Sequence, residues 1–130
     1  MIARNSNSKP RVLVVDDRNQ NRYVLSRILQ TAGFAVEECS TGMHALEMVR
    51  SLPDVMILDV KLPDISGYDV CHGIKRDPFT KRVPILLTSA VLEPENAALV
   101  SARVGAEGYL TQPYISSDVI AKIKQLINAA

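Results

Sequence analysis

Val55-Met56-Ile57-Leu58-Asp59, continued by Val60-Lys61-Leu62-Pro63-Asp64, is the stretch on which the reading of this chain turns. Four consecutive apolar residues are too few for a free-standing helix and fit a strand buried on both faces. The run stops on a carboxylate. Burying an ionised Asp is expensive, so Asp59 belongs at the strand's exit, where a crevice, a cation or a hydrogen bond can receive it. Pro63 and Gly67 then mark an irregular loop. One isolated Asp in such a place is most often a plain strand end or a helix cap. Here three other apolar runs end on polar residues in the same way.

Upstream, Val12-Leu13-Val14-Val15 ends in Asp16-Asp17. Val24, Leu25, Ile28, Leu29 and Ala32 follow at helical spacing, with Gly33 as C-terminal cap. Phe34-Ala35-Val36 reads as a short second strand. Ser40 or Thr41 then caps a helix with Ala45, Leu46 and Val49 inward, stopped by Pro53. Downstream, Val70, Cys71 and Ile74 form one stripe of a third helix that ends at Asp77-Pro78. Val83-Pro84-Ile85-Leu86-Leu87 is a fourth strand finishing on Thr88-Ser89, and a fourth helix is expected over residues 93–103, closed by Gly105. Tyr109-Leu110 is a short fifth strand ending in Thr111-Gln112-Pro113. Ser116 or Ser117 caps a last helix with Val119, Ile120, Ile123, Leu126 and Ile127 inward.

Five alternations of strand and helix argue an α/β protein, a parallel sheet with helices on both faces. Ligands of such sheets bind in the crevice beyond the carboxyl ends of the strands. That crevice collects Asp16 and Asp17 from the first strand, Asp59 from the third, Ser89 from the fourth and Gln112 from the fifth. Each residue alone is weak evidence. Together they make a site.

The 130 residues suffice for one domain and one core, expected over 10–130 behind a loose polar tail at 1–9. An apolar fraction of 47% and a net charge of +1 indicate neither disorder nor a nucleic-acid footprint. The longest apolar run is too short for a bilayer, and Met1-Ile2-Ala3-Arg4-Asn5 lacks the apolar core of a signal peptide. A cytoplasmic protein is expected. Cys39 and Cys71 read as reduced packing residues, and His44 and His72 as surface residues. Lys75-Arg76 and Lys81-Arg82 read as a solvated rim.

Three carboxylates in one crevice repel one another unless one is protonated or a cation sits among them. An all-oxygen ligand set favours a hard ion, Mg2+ before Zn2+. A carboxylate beside such an ion can ligate through one oxygen and act as nucleophile through the other. Phosphoryl transfer needs that charge neutralisation, with a hydroxyl and backbone N–H groups in support. There is no G-x-x-x-x-G-K loop, so the domain is not expected to hold a nucleotide.

The motifs Val14-Val15-Asp16-Asp17, the run from Leu58 to Gly67, Leu87-Thr88-Ser89-Ala90 and the run from Gly108 to Pro113 occur in the order seen in receiver domains of two-component response regulators. The chain resembles that family over about residues 10–128, and is similar to receivers found in multidomain or hybrid histidine-kinase systems. The resemblance implies a flavodoxin-like (βα)5 fold with strand order 2-1-3-4-5. It implies that Asp59 accepts a phosphoryl group from a histidine kinase or a histidine phosphotransfer protein. Asp16, Asp17, Asp59 and the main-chain carbonyl of Lys61 would hold Mg2+. Ser89 would be the switch hydroxyl and Tyr109 the aromatic residue that moves with it, although Tyr109 also reads as plain packing. The domain itself would catalyse transfer and slow hydrolysis, as a signalling module rather than an enzyme. Output would run through protein contacts, without direct nucleic-acid or membrane binding. Those contacts would use the fourth helix, fifth strand and fifth helix, with a homodimer there, and a cis Gln112–Pro113 bond is expected.

One position departs from the family. Gln112 stands where most receivers carry a Lys that pairs with the phosphoryl group, and Gln offers only amide hydrogen bonds. Lys61 either restores that charge or points to solvent. Gln112 is also the sole support for a second reading, a degenerate receiver that docks or dimerises independently of phosphate. An aspartate-nucleophile phosphatase would need an acid where Lys61 stands. A flavin carrier would need a hydroxyl-rich phosphate loop where Asp16-Asp17-Arg18 stands.

Overall fold

A computed structural model describes residues 8–90 and 94–129, with 94–98 given as backbone. Its elements alternate as the hydrophobic runs require. They are β1 (Arg11–Val15), α1 (Asn19–Thr31), β2 (Ala35–Cys39), α2 (Gly42–Met48), β3 (Val55–Asp59), α3 (Gly67–Arg76), β4 (Ile85–Ser89), α4 (Pro94–Val104), β5 (Gly108–Thr111) and α5 (Ser116–Asn128). A single 3-10 turn, Val49–Ser51, prolongs α2. All four strand pairings are parallel and the sheet order is β2-β1-β3-β4-β5. The sequence-based architecture and strand order are both found. Of the expected tail, residues 1–7 lie outside the described residues, as does Glu93 of the expected fourth helix.

Successive strand residues point to opposite faces, so each strand feeds two cores. Leu13, Val15, Met56, Leu58, Ile85 and Leu87 pack under α2 and α3, with Val104 and Tyr109 against them. Val12, Val14, Val55, Ile57 and Leu86 pack under α1 and α5. Every residue of β3 is buried, which explains why it reads as unbroken apolar sequence. Each of its large side chains removed from water contributes roughly 1.5–3 kcal/mol of hydrophobic stabilisation.

Several local expectations change in the fold. The second strand begins at Ala35 and runs through Glu37 and Glu38 to Cys39, while Phe34 is a buried residue ahead of it. It is an edge strand, so charged side chains reach solvent and mask the strand pattern. In α1, Val24 is exposed and the buried positions are Leu25, Ser26 and Leu29. Gly33 closes that turn at φ +97°, a conformation glycine adopts without steric cost. Thr41, not Ser40, caps α2 by accepting the His44 N–H. Neither Ser116 nor Ser117 caps α5, whose N-cap position is Ile115 with no side-chain bond. Lys75 belongs to no solvated rim. Its ammonium donates to the Lys81 and Val83 carbonyls and to Glu107 Oε2, tying α3 to the segment before β4 and to the one before β5. Cys39 and Cys71 are free and buried, as expected, and burial pushes their thiols up to about 11 and about 12.

Candidate functional site

The carboxyl ends of β1 and β3 lie side by side because the two strands pair in register, Val15 opposite Leu58. The next residue of each chain segment is an Asp. Asp16, Asp17 and Asp59 therefore meet, with one carboxylate oxygen from each lying within 4.8 Å of the others. Asp16 and Asp59 are buried, at 1% and 2% exposure, and Asp17 is exposed. The loop after β3 is held close by the backbone. Val60 N–H donates to the Thr88 carbonyl at 3.0 Å, and Gly67 N–H to the Val60 carbonyl at 2.8 Å. A Cβ at Gly67 would stand 2.1 Å from the Asp59 carbonyl oxygen, so only glycine permits this approach. Asp64 anchors the same loop to the start of α2, accepting from the Gly42 and Met43 N–H groups at 2.8 and 2.9 Å.

The two buried carboxylates are not equally provided for. Asp16 Oδ1 accepts the Arg18 N–H at 2.9 Å, and its Oδ2 accepts from Asn21 Nδ2 at 3.3 Å. Asp59 Oδ1 accepts the Lys61 N–H at 3.1 Å. Asp59 Oδ2 is buried with no hydrogen bond. An Arg18 guanidinium nitrogen lies 3.5 Å from it, near enough for Coulombic attraction but not aligned to donate. Burial is the main reason the Asp59 carboxyl is pushed up to about 6; neighbouring Asp16 adds to the rise, while the Lys61 N–H and Arg18 oppose it. A buried acceptor oxygen among like charges is what a hard cation relieves. The all-oxygen donor set fits Mg2+ on this ground.

Ser89 ends β4 and lines the same open cleft as Asp17, Arg18, Asp59 and Lys61. Gln112 follows β5 and is tied back by its N–H to the Ser89 carbonyl at 2.9 Å. The Gln112–Pro113 bond is cis, as expected. Tyr109 is half-buried on the face of α2, α3 and α4, lining a small cavity with Thr88, Ser89 and Ser101. Tyr114 packs on the opposite face, with α1 and α5. The two tyrosines therefore do not share a surface. The Tyr114 hydroxyl is buried near Gln112 and Thr88 without a hydrogen bond, and burial pushes it up to about 12. His44 and His72 are exposed, as expected.

The sequence reading missed Arg18 and Asn21. Arg18 donates to Gln112 Oε1 at 2.7 Å, lies 3.6 Å from Asp16 Oδ1, and faces Asp59. Asn21 Nδ2 donates to the same Gln112 oxygen at 3.0 Å. The cation facing Asp59 is Arg18; Lys61 is exposed. The only signal in the sequence was position, two and five residues after Asp16, one turn or less into the loop and helix.

A parallel α/β sheet with an acidic crevice at its switch point defines the class, and comparison defines the family. The response regulator receiver domain family matches residues 12–124, and the chain belongs to it. The chain is 34% identical over 127 residues to the alkaline phosphatase synthesis transcriptional regulatory protein SphR of Synechococcus elongatus, covering 90% of this chain and 48% of that protein. It thus spans about half the length of that relative. The crystal structure of the signal receiver domain of a signal transduction histidine kinase from Syntrophus aciditrophicus superposes with a TM-score of 0.83 at 27% identity, covering 93% of this chain and 92% of that one. The receiver domain of a sensor histidine kinase from Pseudomonas aeruginosa PAO1, solved with a magnesium ion coordinated in its active site cleft, shares the fold with a TM-score of 0.85 at 22% identity, covering 93% and 99%. Receiver domains are signalling modules of two-component systems. Among the described residues, no helix is long and apolar enough to cross a membrane.

Proposed function

We propose that this domain accepts a phosphoryl group on Asp59 from a histidine kinase or a histidine phosphotransfer protein, in the cytoplasm, and switches protein contacts in response. The observation that carries this reading is Asp59 Oδ2, a buried carboxylate oxygen with no hydrogen bond, on a residue that lines a cleft beside two further carboxylates. Such an oxygen is suited to act as a nucleophile because no hydrogen bond has to be broken to release it. It would attack phosphorus; a P–O bond forms as the P–N bond to the donor imidazole breaks, and the electron pair of that bond returns to the imidazole. Mg2+, held by Asp16, Asp17, Asp59 and the Lys61 carbonyl, would supply charge neutralisation for the transferred oxygens. Ser89 at the end of β4 would donate its hydroxyl to the phosphoryl group, and Tyr109 would move with it.

Output would pass through the face of α4, β5 and α5, with self-association there. Leu99 of α4 and Ile115 at the start of α5 are exposed apolar residues, at 53% and 63%, available for such contacts. Light scattering with and without beryllofluoride tests it, and a monomer under both conditions leaves partner docking alone. The phosphate-independent docking reading rests on Gln112, and the complete acidic set counts against it. Intact-mass measurement after incubation with a small phosphodonor and Mg2+ decides between them. The expected result is one added phosphoryl group, absent in Asp59→Asn. Equal labelling of wild type and variant would reject the assignment.

A further inference from the structure

We propose that Arg18 is the cation that reads the phosphoryl group in this receiver, seated by Gln112 and Asn21, and that it also serves as counter-ion to Asp16 and Asp59 until a metal takes that role. The inference rests on the phospho-acceptor reading of Asp59. Its ground is a three-way contact: the Arg18 guanidinium lies 3.6 Å from Asp16 Oδ1, 3.5 Å from Asp59 Oδ2 and 2.7 Å from Gln112 Oε1. Arg donates and never accepts, so the Gln112 atom facing it must be the amide oxygen. Asn21 donates to that oxygen as well. The Gln112 Nε2 is left buried without a partner. Position 112 is thereby an acceptor that holds a cation, where a Lys would repel the guanidinium.

The seat is firmer than the grip on the carboxylates. A bond of 2.7 Å to Gln112 is a full hydrogen bond, whereas the two carboxylate distances are long for a charge-assisted one, which ordinarily closes to about 2.7–2.9 Å. Anionic oxygens carried on Asp59 Oδ2 would project into the cleft that Arg18 lines. They offer the planar fork the short, paired acceptors that a single carboxylate oxygen does not. Arg18 is half-exposed, so it can pivot about the Gln112 bond without disturbing the core. The differential contact between the unmodified and modified states is what a switch needs from such a group.

The two roles have opposite signs in one variant. In Arg18→Ala the carboxylates lose a counter-charge, so MgCl2 binds more tightly by calorimetry, by about threefold to tenfold. At saturating MgCl2 the same variant binds beryllofluoride about tenfold more weakly, the loss of one charge-assisted contact. Arg18→Lys keeps the charge without the fork and recovers part of the beryllofluoride affinity. The double variant Arg18→Ala/Gln112→Lys returns a cation from β5 and recovers it as well. Thermal melts of each protein confirm an intact fold. Unchanged MgCl2 affinity, or unchanged beryllofluoride affinity, in Arg18→Ala would overturn the proposal. If wild-type protein takes up no phosphoryl group at all, the reading of Asp59 fails first, and the Arg18 role falls with it.

Discussion

The central strand β3 has a carboxylate at each end, and the two are treated in opposite ways. Asp54, just ahead of the strand, accepts the Arg11 backbone N–H at 2.7 Å. Beside it the Arg11 side chain closes a network, donating to the Ser51 carbonyl at 2.9 Å, to Ser51 Oγ at 2.7 Å and to Glu37 Oε1 at 2.8 Å. Asp59, at the other end, keeps one buried oxygen without a hydrogen bond, and its arginine stands off at 3.5 Å. One end of the strand is finished by the chain itself. The other has only the stand-off Arg18 guanidinium and the Lys61 N–H facing its carboxylate. The two carboxylates stand five residues apart, one just ahead of β3 and one at its last position.

The comparison breaks most visibly at Asp59. Its pKa lies above the unfolded value of 3.8, at about 6, so the protonated form favours the fold. That contribution is complete below about pH 4 and is lost as pH rises through about 6. Asp59→Asn keeps the side chain neutral. In metal-free buffer above pH 6 it should therefore be more stable than wild type, by on the order of 3 kcal/mol, with the gain vanishing towards pH 4. Urea denaturation in the presence of a chelator, across that range, reads the difference. A variant less stable than wild type at neutral pH would mean that Asp59 is already satisfied.

Next in size, Asp17→Ala should weaken MgCl2 binding by roughly 100-fold or more, since even residues that only support metal ligands cost 10–100-fold. Calorimetry measures it, and wild-type affinity in the variant would remove Asp17 from the ligand set. At the amino end the sign reverses. Asp54→Ala leaves the Arg11 N–H without its acceptor and should destabilise by about 1–2 kcal/mol, independent of metal. Arg11→Ala is the smallest effect. Its ion pair with Glu37 joins side chains at 36% and 43% exposure, so a loss of about 1 kcal/mol or less is expected by denaturation.

Asp59 and its acidic neighbours could be read in advance because the signal is local. Each is the residue at which an apolar run stops, and parallel pairing brings such stops together. Lys75, by contrast, looked like part of a charged rim, and only the fold shows its ammonium spanning 32 residues to Glu107. The length of β2 was hidden because Glu37 and Glu38 sit on an edge strand, where burial does not constrain the pattern. Gln112 was read as a lost positive charge. Arg18 supplies that charge from 94 residues away, and no periodicity in the sequence links the two.

The phospho-acceptor role proposed for Asp59 is tested by where an electrophile is taken up. After treatment with a small phosphodonor, borohydride reduction converts an acyl phosphate on aspartate to homoserine, which tandem mass spectrometry can place in the chain. Conversion at position 59 alone, dependent on Mg2+ and absent at Asp54, is the expected result. Conversion at another aspartate, or equal conversion at 59 in the presence of a chelator, would contradict it.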